Sequence, residues 1–63
     1  MQEIRWEDPL CAEGNNCFRL GTDADGNGYI AVLGEEDRHL TNSRDALRNL
    51  IREIKAGKAD HLL

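Results

Sequence analysis

Apolar residues along the chain fall into two periods. From Cys17 to Thr22 they alternate, with Phe18 and Leu20 on one side and Cys17 and Arg19 on the other. Tyr29 to Leu33 is apolar throughout, and Ile30 and Val32 share a side. A period of two is that of a strand. Between the two runs lie Asp23, Asp25, Gly26, Asn27 and Gly28. Gly takes positive φ there, and Asp and Asn accept their own backbone donors, so this stretch turns. Residues 17–32 are therefore expected to form a β-hairpin. Its connection is longer than the tightest hairpin loops, and a bulge is expected. Beyond Ser43 the period lengthens. Leu47, Leu50, Ile51 and Ile54 follow i, i+3, i+4, i+7, the stripe of an amphipathic helix. Ser43 is the expected N-cap, with Asn42 and Thr41 as alternatives, and Asp45 suits the positive end of the helix dipole. Gly57, after Lys55 and Ala56, is placed to stop the helix.

The remaining segments are shorter. Met1 to Trp6 reads as a strand with Ile4 and Trp6 on one face, ended by Asp8-Pro9. Leu10 to Asn16 is a loop and Gly34 to Asp37 an acidic turn. Arg38 to Thr41 is a short strand offering Leu40 to the core. Leu62 and Leu63 either fold back over the sheet edge or meet a partner. The expected fold is one small α+β domain over residues 1–63. It has a three- to four-stranded antiparallel sheet, the hairpin at its centre, and one C-terminal helix packed on one face. Its expected core is Trp6, Phe18, Leu20, Ile30, Val32, Leu40, Leu47, Leu50, Ile51 and Ile54.

Length and charge narrow the function. A chain of 63 residues builds a thin core, and such scaffolds often add a disulfide, a metal or a partner chain. The net charge of −4 argues against direct binding of nucleic acid, which depends on neutralising phosphates. No apolar run suits a membrane, and the polar, acidic start does not read as a signal peptide. A cytoplasmic location is expected. Cys11 and Cys17 are then expected as reduced thiols, with a disulfide as the alternative in an oxidising setting. With His39 and His61 they match no zinc spacing. The histidines are expected at the surface or at edges, and no cofactor is expected.

The charge is unevenly spread. Residues 1–40 carry three basic and nine acidic side chains, and residues 41–63 carry five basic and three acidic. On the helix, Arg44, Arg48, Arg52 and Lys55 fall at i, i+4, i+8, i+11 and form one basic flank. This flank is the candidate surface for a protein partner. An acidic sheet end and a basic helix also suit a homodimer.

The hairpin tip has a second reading. Asp23, Asp25, Asn27, Gly28, Tyr29 and Ile30 match positions 1, 3, 5, 6, 7 and 8 of an EF-hand calcium loop. Position 12, which needs a bidentate Glu, is Gly34. No helix-forming stretch precedes the loop. A weak calcium site over 23–30, using Asp23, Asp25 and Asn27, is kept as an alternative function. A self-assembling structural subunit is another. No nucleophile–base pair and no phosphate-binding loop stands out, so an enzyme is not expected.

Trp6, the run Gly14-Asn15-Asn16-Cys17, the helix segment Ser43-Arg44-Asp45-Ala46-Leu47 and its ending Ile54-Lys55-Ala56-Gly57 together carry a resemblance. The chain resembles the small acidic domains of unknown function found in Streptomyces and related actinobacteria. Their genes often lie beside helix-turn-helix regulators of the XRE type. It departs from them at Leu47, where the family often has Trp, and in its acidic 34–37 turn. The resemblance implies a non-enzymatic accessory to transcriptional regulation that acts through protein contact. A helix-turn-helix regulator is the implied partner.

Overall fold

A computed structural model of the chain describes residues 3–11 and 17–63. The expected loop over 10–16 and the first residues of the expected N-terminal strand lie in part outside the described residues. The fold is α+β. Four strands, β1 (Arg5–Trp6), β2 (Phe18–Thr22), β3 (Asn27–Val32) and β4 (Leu40–Ser43), form one antiparallel sheet in sequence order. Among the described residues one α-helix, α1 (Arg44–Lys55), follows. The hairpin is the centre of the sheet. Its ladder runs unbroken from Phe18↔Val32 to Thr22↔Gly28. The expected bulge is absent there, because the turn absorbs the extra residues at its tip.

The last strand begins later than expected. Glu36–Arg38 is a 3-10 turn, and β4 starts at Leu40 and runs directly into the helix. Ser43 both ends β4 and caps α1, its Oγ accepting from the Ala46 N–H at 3.0 Å. The Arg44 N–H donates to the Gly26 carbonyl at 2.8 Å, which ties the helix start to the hairpin tip. At the other end, Gly57 has a φ of 88°. Its N–H donates to Ile54, and the Lys58 N–H donates to Glu53. This pair of bonds is a Schellman ending, which needs a left-handed residue at the Gly57 position.

Alternation fixes which residues share a face. Residues directly opposite across an antiparallel pair point the same way. Phe18, Leu20, Ile30, Val32 and Leu40 therefore belong to one face, together with Gly28 and Asn42. Trp6, Gly21, Tyr29 and Thr41 belong to the other. The helix lies on the first face, close above Gly28. A Cβ built on Gly28 would stand 2.8 Å from the Leu47 Cβ.

The core differs from the expected one. Leu47 is buried, and so are Tyr29 and Ala31 on the face away from the helix. Trp6, Leu20, Ile30 and Val32 are half-buried. Phe18, Leu40, Leu50, Ile51 and Ile54 are exposed by 40–71%, although the pattern places them inside. The reason is coverage. The one helix among the described residues packs close over Gly28, by the Ser43 end of β4, and leaves much of its own face of the sheet open, Leu40 at the start of β4 included. Trp6 joins the opposite face, where its ring lies 6.2 Å from Tyr29 and 6.0 Å from His39. His39 is thus no mere surface residue. It is half-buried, stands edge-on to Tyr29 at 5.0 Å, and donates from Nδ1 to the Glu36 carbonyl at 2.7 Å. His61 is exposed.

Two further expectations change. Cys11 and Cys17 are bridged rather than reduced, with their Cα atoms 4.7 Å apart. In a domain whose buried apolar residues are so few, a covalent staple adds stability that the core does not supply. The tail does not fold back over the sheet. Asp60–Leu62 is a 3-10 turn, and both Leu62 and Leu63 are exposed.

Candidate functional site

The four basic residues of the flank are all exposed along α1. A 3.6-residue turn stacks Arg44, Arg48 and Arg52 along one side and sets Lys55 beside them. Arg48 lies 3.6 Å from Asp45 in an ion pair open to water. Such a pair contributes little to stability and is easily exchanged for another partner. Lys58, beyond the helix, pairs with Glu53 at 2.8 Å. Among the described residues, no ion pair engages Arg52 or Lys55. Arg44, at the first turn of the helix, also reaches the hairpin tip. With Arg5, Glu3 and the 22–25 stretch, it lines an open depression of about 660 Å³.

Apolar surface adjoins the flank. With Leu47 pointing to the sheet, Ile51 lies on the same side of the helix as Arg48 and Lys55. Leu50 lies on the opposite side, where it lines a second depression of about 540 Å³ with Ile30 and Leu40. The Ile51 side therefore looks toward β2, whose Phe18 is 56% exposed. Ile51 and Ile54 are 40% and 51% exposed. Apolar residues at this level of exposure beside a charged ridge form a surface that water does not favour.

Asp23, the first residue of the calcium-like spacing, is engaged within the loop. The Asp23 side chain is buried, and both of its oxygens already hold internal donors. Oδ1 accepts from the Asp25 and Asn27 N–H groups, each at 3.0 Å. Oδ2 accepts from Asn27 Nδ2 at 3.0 Å and from the Tyr29 hydroxyl at 2.5 Å. The Tyr29 hydrogen bond, with those from Asn27 and Asp25, holds the Asp23 carboxyl down to about 2. The same bond to Asp23, together with burial, pushes the Tyr29 hydroxyl up. The loop is entered from a strand, and Gly34 is where the bidentate ligand belongs. Asp23 thus organises the hairpin tip from within. Among the described residues, no group of three His, Cys, Asp or Glu side chains is placed to hold a metal ion.

Position in the sequence hid this role. Asp23 and Tyr29 are six residues apart and meet only because the turn folds one over the other. The signal was Asp23 at the first position of an Asx-type turn, which draws the following N–H groups onto its carboxylate. Glu36 shows a related pattern. Its own backbone N–H, and then Arg19 and the Gly34 N–H, hold its carboxyl low against the effect of burial. Arg19 reaches it at 3.2 Å and also donates from Nε to the Glu7 carbonyl at 3.0 Å, so the 34–38 turn and the N-terminal segment share one guanidinium.

No helix among the described residues is long and apolar enough to cross a membrane. Compared with protein families, curated proteins and solved structures, the chain matches none of them.

Proposed function

We propose that the chain is a small, non-enzymatic protein-interaction module. It acts in the cytoplasm as an accessory to transcriptional regulation, and its docking surface is the basic flank of α1 with the apolar strip beside it. The observation that carries this reading is the juxtaposition on one side of the helix. Arg48 and Lys55 share the side of α1 that carries Ile51, with Arg52 next to them, and Ile54 and the β2 residue Phe18 are also exposed. An amphipathic partner segment with acidic side chains suits this surface, its apolar side on the isoleucines and its carboxylates on the basic flank. The regulatory role rests on the resemblance to the actinobacterial domains, and the partner it suggests is a helix-turn-helix regulator.

The test is charge reversal. Arg48→Glu combined with Arg52→Glu leaves the buried side of α1 untouched, so the circular dichroism spectrum should stay native. Capture of the regulator by the tagged double variant should be lost. Capture at the wild-type level would remove this surface from consideration.

Self-association is a second reading, and β4 favours it. This edge strand, Leu-Thr-Asn-Ser, is exposed at every residue and carries no charge or proline to block pairing. The opposite edge, β1, is two residues long and is flanked by Glu3, Glu7, Asp8 and Pro9.

A further inference from the structure

The face away from the helix is covered by a thinly held segment. β1 makes only two residue pairs with β2, Arg5↔Thr22 and Trp6↔Gly21. Two more backbone bonds extend the attachment, Glu7 N–H to Leu20 at 2.8 Å and Leu10 N–H to Phe18 at 2.7 Å. On this short ladder rides Trp6, the chain's single tryptophan. Its ring lies so close over Gly21 that a Cβ there would be 2.8 Å from Trp6 Cε3. It completes the aromatic cluster with Tyr29 and His39. The disulfide joins the end of this segment to the residue just before β2. Cys11 is exposed and Cys17 is half-buried.

We propose that Cys11–Cys17 is a redox clasp. Bridged, it holds the Trp6 segment on β2. Reduced, it frees the segment and uncovers the Tyr29–His39 face and the outer edge of β2. The chemistry is thiol–disulfide exchange. A thiolate of a dithiol attacks the Sγ of Cys11, the more exposed residue of the pair, and the Cys17 thiolate leaves and takes up a proton. The second thiol of the reductant then attacks the mixed disulfide and releases Cys11 as a thiol. Two electrons and two protons pass to the protein, and the dithiol becomes a cyclic disulfide. A glutathione-type disulfide reverses the change in two exchanges and is reduced to two thiols. In a reducing cytoplasm the clasp rests open, and oxidation closes it. Trp6, which the clasp holds, lies on the face away from α1, and the readouts below are taken on the protein alone, so the clasp does not depend on the partner proposed for the basic flank.

The experiment follows the purified protein through glutathione buffers of stepped poise, counting free thiols while recording Trp6 emission and amide exchange. Dithiothreitol serves as the full reductant. On reduction, Trp6 emission should shift to the red. Exchange at the Glu7 and Leu10 amides should rise by roughly 10- to 50-fold, the upper figure being the loop-closure entropy of a seven-residue ring. The amides of α1 should keep their protection. Cys11→Ser with Cys17→Ser should match the reduced protein and ignore dithiothreitol. Three results would each overturn the clasp. One is two free thiols at every poise. Another is identical emission and exchange in both redox states. The third is loss of α1 protection together with the N-terminal segment, which would make the bridge a staple of the whole fold.

Discussion

Gly28→Ala tests the claim that the height of α1 above the sheet is set by backbone approach. Alanine has two opposing effects there. Replacing Gly within a strand gains about 0.5–1 kcal/mol by restricting the unfolded chain. Against this stands crowding. The new Cβ would lie 2.8 Å from Leu47 Cβ, 3.1 Å from Leu47 Cδ2 and 3.3 Å from the Ser43 carbonyl. The nearest atom is fixed to the helix backbone, so no side-chain rotation relieves it and α1 must move. Overpacking of this kind costs about 1–3 kcal/mol. The net expectation is a loss of about 1–2 kcal/mol, in a domain whose size implies roughly 3–9 kcal/mol of stability. Thermal unfolding followed by far-UV circular dichroism should then show Tm lower by about 4–16 °C. Gly26 is the control. It has open space around it but a φ of 85°, so alanine there is strained by backbone conformation alone. Asn at Gly26 should recover most of the loss, because Asn tolerates the left-handed region. Asn at Gly28 should be worse than alanine, because it is larger. An unchanged or higher Tm for Gly28→Ala would refute the crowding argument, as would rescue by Asn at that site.

The other predictions concern the hairpin tip and the free edge. The Asp23 carboxyl is held to about 2 in the fold against an ordinary 3.8, so its contribution is complete above about pH 4 and is lost as pH falls toward 2. Urea unfolding midpoints should drop across that window, and Asp23→Asn should flatten the drop. A variant as steep as the wild type would show that other carboxylates govern acid unfolding. At the alkaline end the sign reverses. Tyr29 favours its neutral form, so its contribution holds below pH 10 and is lost as the raised folded value is passed. For the edge, light scattering on concentrated protein should give a dimer mass, and Thr41→Lys should return a monomer. A monomeric wild type would end the self-association reading.

Much of the fold was written in local pattern. The N-cap at Ser43, the stop at Gly57 and the hairpin from Phe18 to Val32 each depend on residues a few positions apart, and each appears where the spacing puts it. The core was less legible. A period of two identifies two faces but not which one a lone helix covers. In β3 the apolar run Tyr29–Val32 marks both faces alike. Tyr29 and Ala31 proved the buried pair because Trp6 and His39 close over them from distant parts of the chain. The cysteine pairing is of the same kind. Five intervening residues permit a bridge without requiring one, and the bridge forms because the Leu10↔Phe18 pairing brings the two backbones together. The calcium-like spacing gives an order of ligands but not what else competes for the first carboxylate. Four donors inside the loop already occupy it.

Geometry explains why the candidate surface lies where it does. An α-helix with its side chains is about 10 Å wide, and neighbouring strands are about 4.8 Å apart. One helix therefore covers about two strands of this four-stranded sheet. By resting on β3 and β4, α1 leaves the outer side of its own stripe and the helix-facing side of β2 without a cover. Ile51, Ile54 and Phe18 are exposed for that reason, not because their positions are polar by pattern. Among the described residues, no second α-helix closes the gap. A partner of the kind proposed would cover these positions, and the adjoining basic flank would favour acidic side chains in it. The opposite face faces the same shortage and meets it differently, with Trp6 on a two-residue strand held by a disulfide. One face of the sheet is thus left partly open while the other is covered by a short strand, and the proposed docking surface and the proposed clasp each start from that difference.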